Sequence, residues 1–322
     1  SDHYREIPFD LSRVMFIATG NILDTVPPAL RDRLEVIHFP GYIEDEKMHI
    51  ARDHLVPKQR REHGLTGKDI RFHDSGLRAM IQYYTREAGV RNMEREIAAV
   101  CRKVARGVVA GGNGGASVTA ASVEKMLGPR RFSHGVARKK PSVGVATGLA
   151  YTETGGDVIA IEVSVVDGEG ELMLTGQLGD VMKESAQAAL SYVRGRAAEL
   201  GLDAGYFAKR DIHVHVPSGA VPKEGPSAGV AITTALVSAV TGRAARHDLA
   251  MTGETTLHGR VLEVGGVREK VLAAHRAGVK VVLLPADNEK DLSADEIPAS
   301  VFEDIQFIYV SQMREVLDVA LT

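Results

Sequence analysis

A single cysteine, Cys101, occurs in 322 residues, so no intramolecular disulfide can form. No Cys/His cluster has zinc-ligand spacing either, which leaves no metal site to expect and favours a reducing compartment. Cys101 falls on one apolar stripe with Met93, Ile97, Val100, Val104 and Val108, the pattern of a small hydrophobe buried by a helix. Long apolar runs are also missing. None approaches the roughly 18 residues of a transmembrane helix, and the longest candidate, 229–240, carries Thr233, Thr234 and Ser238. No signal-peptide cleavage pattern follows Ser1-Asp2-His3-Tyr4-Arg5, so a cytoplasmic, membrane-free protein is expected. Charge of one sign is scarce: 39 basic against 42 acidic residues give a net charge of -3, and nothing in that balance indicates nucleic acid or an anionic membrane. A phosphate-binding loop is absent too. In Gly64-Leu65-Thr66-Gly67-Lys68-Asp69, Glu62 stands where the first glycine is needed and Asp69 replaces the magnesium-binding hydroxyl.

The sequence does hold an ordinary globular balance, 44% hydrophobic and 25% charged, over a length that suits two domains. A strand is predicted over 14–18, then a loop containing Asn21 and Pro27-Pro28. Helical spacing follows over 45–55, 74–87 and 92–109, with Thr119 capping a shorter helix and 111–115 making a glycine-rich turn. Residues 129–142 contain Pro129, Pro141 and five basic residues, the composition of a linker. Beyond them strands and helices alternate. A strand over 157–166, a hairpin turn at 167–170 and a returning strand over 171–175 lead to a helix from Asp180. Next come a strand over 211–216, a helix over 226–240, strands near Ala250 and Val261, and a helix over 267–277 closed by Gly278. A strand over 279–284, a strand near Phe307 and a helix after Ser311 complete the chain. The class is mixed α/β: a helical subdomain over 41–128, then a domain over 143–322 with helices packed on a mixed sheet.

The most informative stretch is Pro222-Lys223-Glu224-Gly225-Pro226-Ser227-Ala228-Gly229. Pro226 suits the first turn of a helix, and Ser227 then lies where unpaired backbone N–H groups and the positive helix end could hold an oxyanion. A serine in that place is either a cap or a nucleophile. Lys270 shares a helical face with Ala273, Ala274 and Ala277. Pressed against a core, its ammonium would be disfavoured and the neutral amine could take a serine proton; alternatively it reaches out to solvent. Gly225-Pro226-Ser227-Ala228-Gly229 also fits GxSxG, the nucleophile elbow of esterases, but that turn needs a strand running straight into the serine and an acid then a histidine downstream. His247, His258 and His275, with Asp248 and Asp287, fit that order loosely.

With Gly265-Gly266-Val267-Arg268-Glu269-Lys270, His213-Val214-His215-Val216-Pro217 and Met251-Thr252-Gly253-Glu254, the chain resembles the Lon proteases, ATP-dependent serine peptidases with a Ser-Lys dyad. The likeness runs nearly the whole length. It implies Ser227 as nucleophile and Lys270 as base, Thr252 as the hydroxyl orienting the lysine, and Glu224, in place of the commoner aspartate, shaping the loop before the serine. His213 and His215 share a strand face, and of the two His215 is the expected support for the site. Residues 1–40 resemble the tail of an AAA-plus nucleotide-binding module, with Asn21 like its water-positioning sensor, Arg33 like its arginine finger and Arg91 like its second sensor. A Lon subunit would carry its Walker motifs before Ser1, so the resemblance implies a C-terminal fragment that hydrolyses no ATP. Peptide-bond chemistry would need no cofactor, whereas the full-length protein would use ATP and magnesium. Unfolded protein substrates and a hexameric ring are implied as partners. Lon-like domains also serve as ring scaffolds that have lost the dyad, but Ser227 and Lys270 are both present here.

Overall fold

A computed structural model describes residues 10–20, 26–37, 41–112, 115–132, 140–152, 155–217, 225–293 and 297–322. Two compact units divide the chain, Ser1–Pro40 and Gly41–Thr322. In the first, the only regular element among the described residues is the one-turn helix α1 (Pro28–Arg31). The strand expected over 14–18 is not formed. A strand is held by the ladder of a neighbour, and here Met15, Phe16 and Ile17 are 70–85% exposed with no strand beside them among the described residues.

In the second unit, α2 (Glu44–Ile50), a π-turn (Ala51–Leu55) and α3 (Val56–Glu62) run on as one helix, past the expected end at residue 55. Pro57 explains the π-turn. It has no N–H to give to the carbonyl four residues back, and the Val56 amide reaches five back, to Ala51. Strand β1 (Ile70–Phe72), α4 (Asp74–Tyr84), α5 (Arg91–Val109), β2 (Ala116–Val118) and α6 (Ala120–Leu127) complete the helical part. Thr119 caps α6, its hydroxyl accepting from the Ser122 amide. Met80, Met93, Ile97 and Cys101 meet in one core. Burial pushes the Cys101 thiol up to about 11, so it behaves as a hydrophobe. After α6, Arg130 stacks on Tyr83 at 4.1 Å and Arg131 pairs with Glu96 at 2.6 Å. These two basic residues lie against the helices.

Next come β3 (Ser142–Val143), β4 (Val145–Thr152), β5 (Gly155–Asp167), β6 (Leu172–Thr175), α7 (Asp180–Gly195), β7 (Arg210–His215) and α8 (Gly229–Thr241). Short strands β8 (Ala244–Ala245), β9 (Leu249–Met251), β10 (Glu254–Thr255) and β11 (Val261–Leu262) lead to α9 (Val267–Arg276), β12 (Val281–Pro285), α10 (Ala299–Asp304), β13 (Gln306–Val310) and α11 (Met313–Ala320). Seven strands form one mixed sheet, in the order β13-β12-β9-β4-β5-β7-β6. Alternate residues serve opposite faces. Ala146, Ile161 and Met251 pack with α7, α8 and α11, while Leu149, Val158 and Ala250 pack with α9 and α10. Helix α8 is buried on nearly every side, which is why its sequence is apolar all round. Its buried Thr233 and Thr234 hydroxyls donate to the Gly229 and Val230 carbonyls, at 2.8 and 2.9 Å.

The hairpin expected between β5 and β6 is not made. Strand β7 inserts between them, antiparallel to β5 and parallel to β6. The cause is Asp211 at the start of β7. Its carboxylate accepts the amides of Glu169, Gly170 and Glu171 at 2.9–3.0 Å, which turns the loop around β7 instead of back along β5. Those amides hold the Asp211 carboxyl below its usual range.

One buried hydroxyl, Thr147 on β4, is 3% exposed and has no hydrogen-bond partner among the described residues. Thr147→Val keeps the shape and removes the stranded polar group, so it should stabilise the fold by about 1 kcal/mol. Urea unfolding at neutral pH measures this, and a loss of stability would contradict it.

Candidate active site

The segment around Ser227 enters the core differently from a helix start at Pro226. The Gly229 amide donates to the Pro226 carbonyl at 3.0 Å, closing a turn. Helix α8 begins only after it, with Ala228 as N-cap and no side-chain cap bond. Ser227 therefore does not cap the helix, and it does not lie on the helix face. It is half-buried in the turn, and its carbonyl accepts from the Gly253 amide at 2.9 Å and from the Thr252 hydroxyl at 3.1 Å. The Val230 amide returns a bond to the Gly253 carbonyl at 3.0 Å. These bonds fasten the serine turn to the end of β9. Ser185 of α7 adds a longer bond, 3.4 Å, to the Pro226 carbonyl; no motif marked it in the sequence.

Thr252 continues the β9 ladder, donating its amide to Leu283 at 3.2 Å. Ala250, two residues before, packs with Val271, Ala273 and Ala274 of α9, so alternation turns Thr252 to the same side of the sheet. There α9 lies along β4 and β5. Its first turn follows Gly266, whose φ of +68° is left-handed and where a Cβ would stand 2.8 Å from the Tyr151 ring. Only glycine meets both conditions. Lys270 is 1% exposed, among the largest side chains buried so completely. Ala273 and Ala274 on its face are buried as well, so the amine does not reach solvent. Burial drives its pKa from 10.5 down to about 8, and Glu269 opposes the fall. No hydrogen bond to the Lys270 amine or the Ser227 hydroxyl is found among the described residues.

Residues 117–322 match the family model of the Lon protease (S16) C-terminal proteolytic domain, and residues 61–116 that of the Lon protease AAA+ ATPase lid domain. The chain is 56% identical to a Lon protease of Syntrophomonas wolfei and 56% identical to one of Bacillus thuringiensis, each over 321 residues. It is 54% identical to Lon protease 1 of Bacillus subtilis. All of this chain is covered in each case, but only 39–41% of those relatives. The chain belongs to the Lon protease family. It spans about two fifths of the length of the curated Lon relatives it matches.

The other residues singled out by the Lon resemblance are dispersed. Thr252 bonds the Ser227 carbonyl and has no bond to the lysine amine. The rings of His213 and His215 share one face of β7, 6.2 Å apart. Thr175 of β6 lies between them, its hydroxyl 2.8 Å from Nε2 of His213 and 2.7 Å from Nδ1 of His215. Glu224 and Asn21 lie outside the described residues. Arg33 is exposed in the turn after α1, and Arg91 is exposed at the first position of α5. Among the described residues no three His, Cys, Asp or Glu side chains are gathered as metal ligands, and no helix is long and apolar enough to cross a membrane. The esterase elbow finds no support. Strand β7 stops at His215, well before Ser227. Asp248 is engaged by Arg246 at 2.8 Å, and His275 pairs with Asp304 at 2.8 Å in the last turn of α9.

The burial of Lys270 has a stability consequence with a definite sign. Its folded pKa lies below the unfolded one, so the protonated amine favours unfolding. The full penalty, about 3 kcal/mol, holds below pH 8, shrinks between pH 8 and 10.5 and vanishes above. Lys270→Met should therefore stabilise the fold by about that amount at pH 7 and by little at pH 11. Denaturant unfolding of both proteins across this range checks it; a constant difference would refute the buried amine.

Proposed function

We propose that the chain is the peptide-cleaving part of an ATP-dependent serine endopeptidase, with Ser227 as nucleophile and Lys270 as general base. The observation that carries this reading is the Lys270 amine, shut from solvent and lowered to about 8, on the side of the sheet where Thr252 fastens the Ser227 turn. At pH 7 about one such amine in ten is neutral, against fewer than one in a thousand for an ordinary lysine.

In the proposed reaction the neutral amine takes the Ser227 proton as Oγ bonds to the peptide carbonyl carbon. The amides of Ser227 and Ala228, for which no backbone partner is found among the described residues, would hold the resulting oxyanion. Collapse breaks the C–N bond, and the Lys270 ammonium returns the proton to the leaving amine. Water, deprotonated by the same amine, then attacks the acyl-enzyme and frees Ser227. Thr252 orients the lysine once the amine turns toward the serine, Glu224 shapes the preceding loop, and His215 supports the β6 and β7 edge. No metal or organic cofactor enters these steps.

On this reading residues 41–128 are the AAA-plus small subdomain, 143–322 the proteolytic domain and 129–142 the join. Residues 1–40 are the tail of the nucleotide-binding subdomain, where Asn21, Arg33 and Arg91 serve ATP and magnesium in the full-length protein. Arg91 places a cation at the positive end of α5, which disfavours it there and suits a residue kept for an anion. The residues present lack a phosphate-binding loop. Unfolded polypeptides are the substrates, a homohexameric ring encloses the sites, and the protein works in the cytoplasm.

The test is cleavage of unfolded casein and of a short fluorogenic peptide. Ser227→Ala and Lys270→Met should each lose at least a hundredfold, while a His247/His258/His275 triple substitution retains activity. The rate should climb with pH as a single group through about 8 and stay high above it. Cleavage by Lys270→Met, or dependence on the three histidines, would sink the dyad.

A further inference from the structure

Two ion pairs tie the helical part of the second unit to α9, the element that carries Lys270, and a third ties it to β5. Glu46 of α2 meets Arg268 at 3.4 Å, Glu44 meets Arg276 at 4.0 Å, and Arg86 meets Asp157 at 2.9 Å. Arg268 and Arg276 are the second and last residues of α9. The acidic first turn of α2 thus holds α9 at both ends, with Lys270 between. Asp157 lies near the start of β5, beside Gly156. A Cβ at Gly156 would stand 1.9 Å from the Glu269 carbonyl oxygen and 2.9 Å from the Lys270 amide nitrogen, so glycine alone lets this strand touch the backbone at the lysine. The Gly156 carbonyl also accepts from Arg276 at 3.0 Å. The Arg276 side chain is 25% exposed and its guanidinium partly desolvated, its charge answered by Glu44 and Asp157. A cavity opens at this junction, lined among others by Tyr42, Lys47, Phe132, Tyr151 and Glu269. Water therefore has room next to the first turn of α9.

We propose that Gly156, Asp157 and Arg276 are positioning residues for Lys270, and that Glu44 and Arg86 set through them how tightly its amine is closed off from water. The proposal rests on the Ser-Lys reading above. Position and hydration are linked here because dehydration, not a neighbouring cation, lowers the amine. Among the described residues Glu269 is the one charged group that bears on it, and it acts in the opposite direction. Loosening α2 or β5 from α9 admits water and restores the ammonium. Each unit of rise removes about nine-tenths of the neutral base at pH 7. The helical part, where a nucleotide-driven motion would arrive, is in this way connected to the charge state of the base without touching it.

The experiment is an NMR titration of the Lys270 amine in the 322-residue chain, with the signal assigned by its loss in Lys270→Met. Glu44→Gln and Asp157→Asn change two partly exposed carboxylates and should fold. Each should raise the midpoint from near 8 by about one unit and lower peptide cleavage at pH 7 about tenfold, with cleavage recovering at pH 10. Gly156→Ala should raise it further if it folds, and Arg276→Lys should stay nearer the wild type than Arg276→Met. A midpoint unmoved in both Glu44→Gln and Asp157→Asn, even with a lowered unfolding temperature, would overturn the proposal by leaving these contacts a purely structural role. Failure of the dyad reads differently, as cleavage that survives in Lys270→Met whatever the titration shows.

Discussion

A lysine with 1% of its surface exposed is the constraint around which the second half of this chain is arranged. Hiding an ammonium costs free energy unless a partner repays it, and no partner is found for Lys270 among the described residues. The surrounding fold keeps the amine enclosed in spite of that cost. Alanines at 273 and 274 let α9 lie close on β4 and β5, and a left-handed glycine starts the helix against the Tyr151 ring. The same burial that gives up stability lowers this amine from 10.5 to about 8.

The serine side is built by other means. Its turn is not part of a helix; it is stitched to the end of β9 by three backbone or hydroxyl bonds and backed by α8, which the sheet, α7 and α11 bury almost completely. Lys270 thus stands on a helix over one face of the sheet, and Ser227 on a turn leading into a helix beneath the opposite face. The serine turn is joined to the sheet at the end of β9, through Gly253 and Thr252.

Several elements differ from their sequence expectation for identifiable reasons. The spacing that marks a strand at 14–18 is real, but a strand needs a neighbouring ladder and none lies beside it among the described residues. The glycine-rich turn after β5 reads as a hairpin because its residue types are those of a tight turn. A carboxylate some forty residues later, Asp211, captures the turn's amides and threads β7 into the gap. Pro226 reads as a first-turn proline, yet Gly253 claims the Ser227 carbonyl and the Val230 amide, which moves the helix start to Gly229.

Residue order alone determined the α/β class, the helices with strong 3.6-residue spacing, the alanine face under Lys270 and the motifs that mark a Lon chain. All of these are local, set by propensity and pattern within a few turns. Tertiary structure alone decided that Lys270 points inward and not to solvent, that Ser227 is no cap, and that Thr252 grips the serine's carbonyl. The same holds for the meeting of Glu44, Arg86, Asp157, Gly156 and Arg276 around α9, contacts that span up to about 230 residues of sequence. Such pairings have no periodicity to read, because their energy comes from burial and from groups that only folding brings within reach.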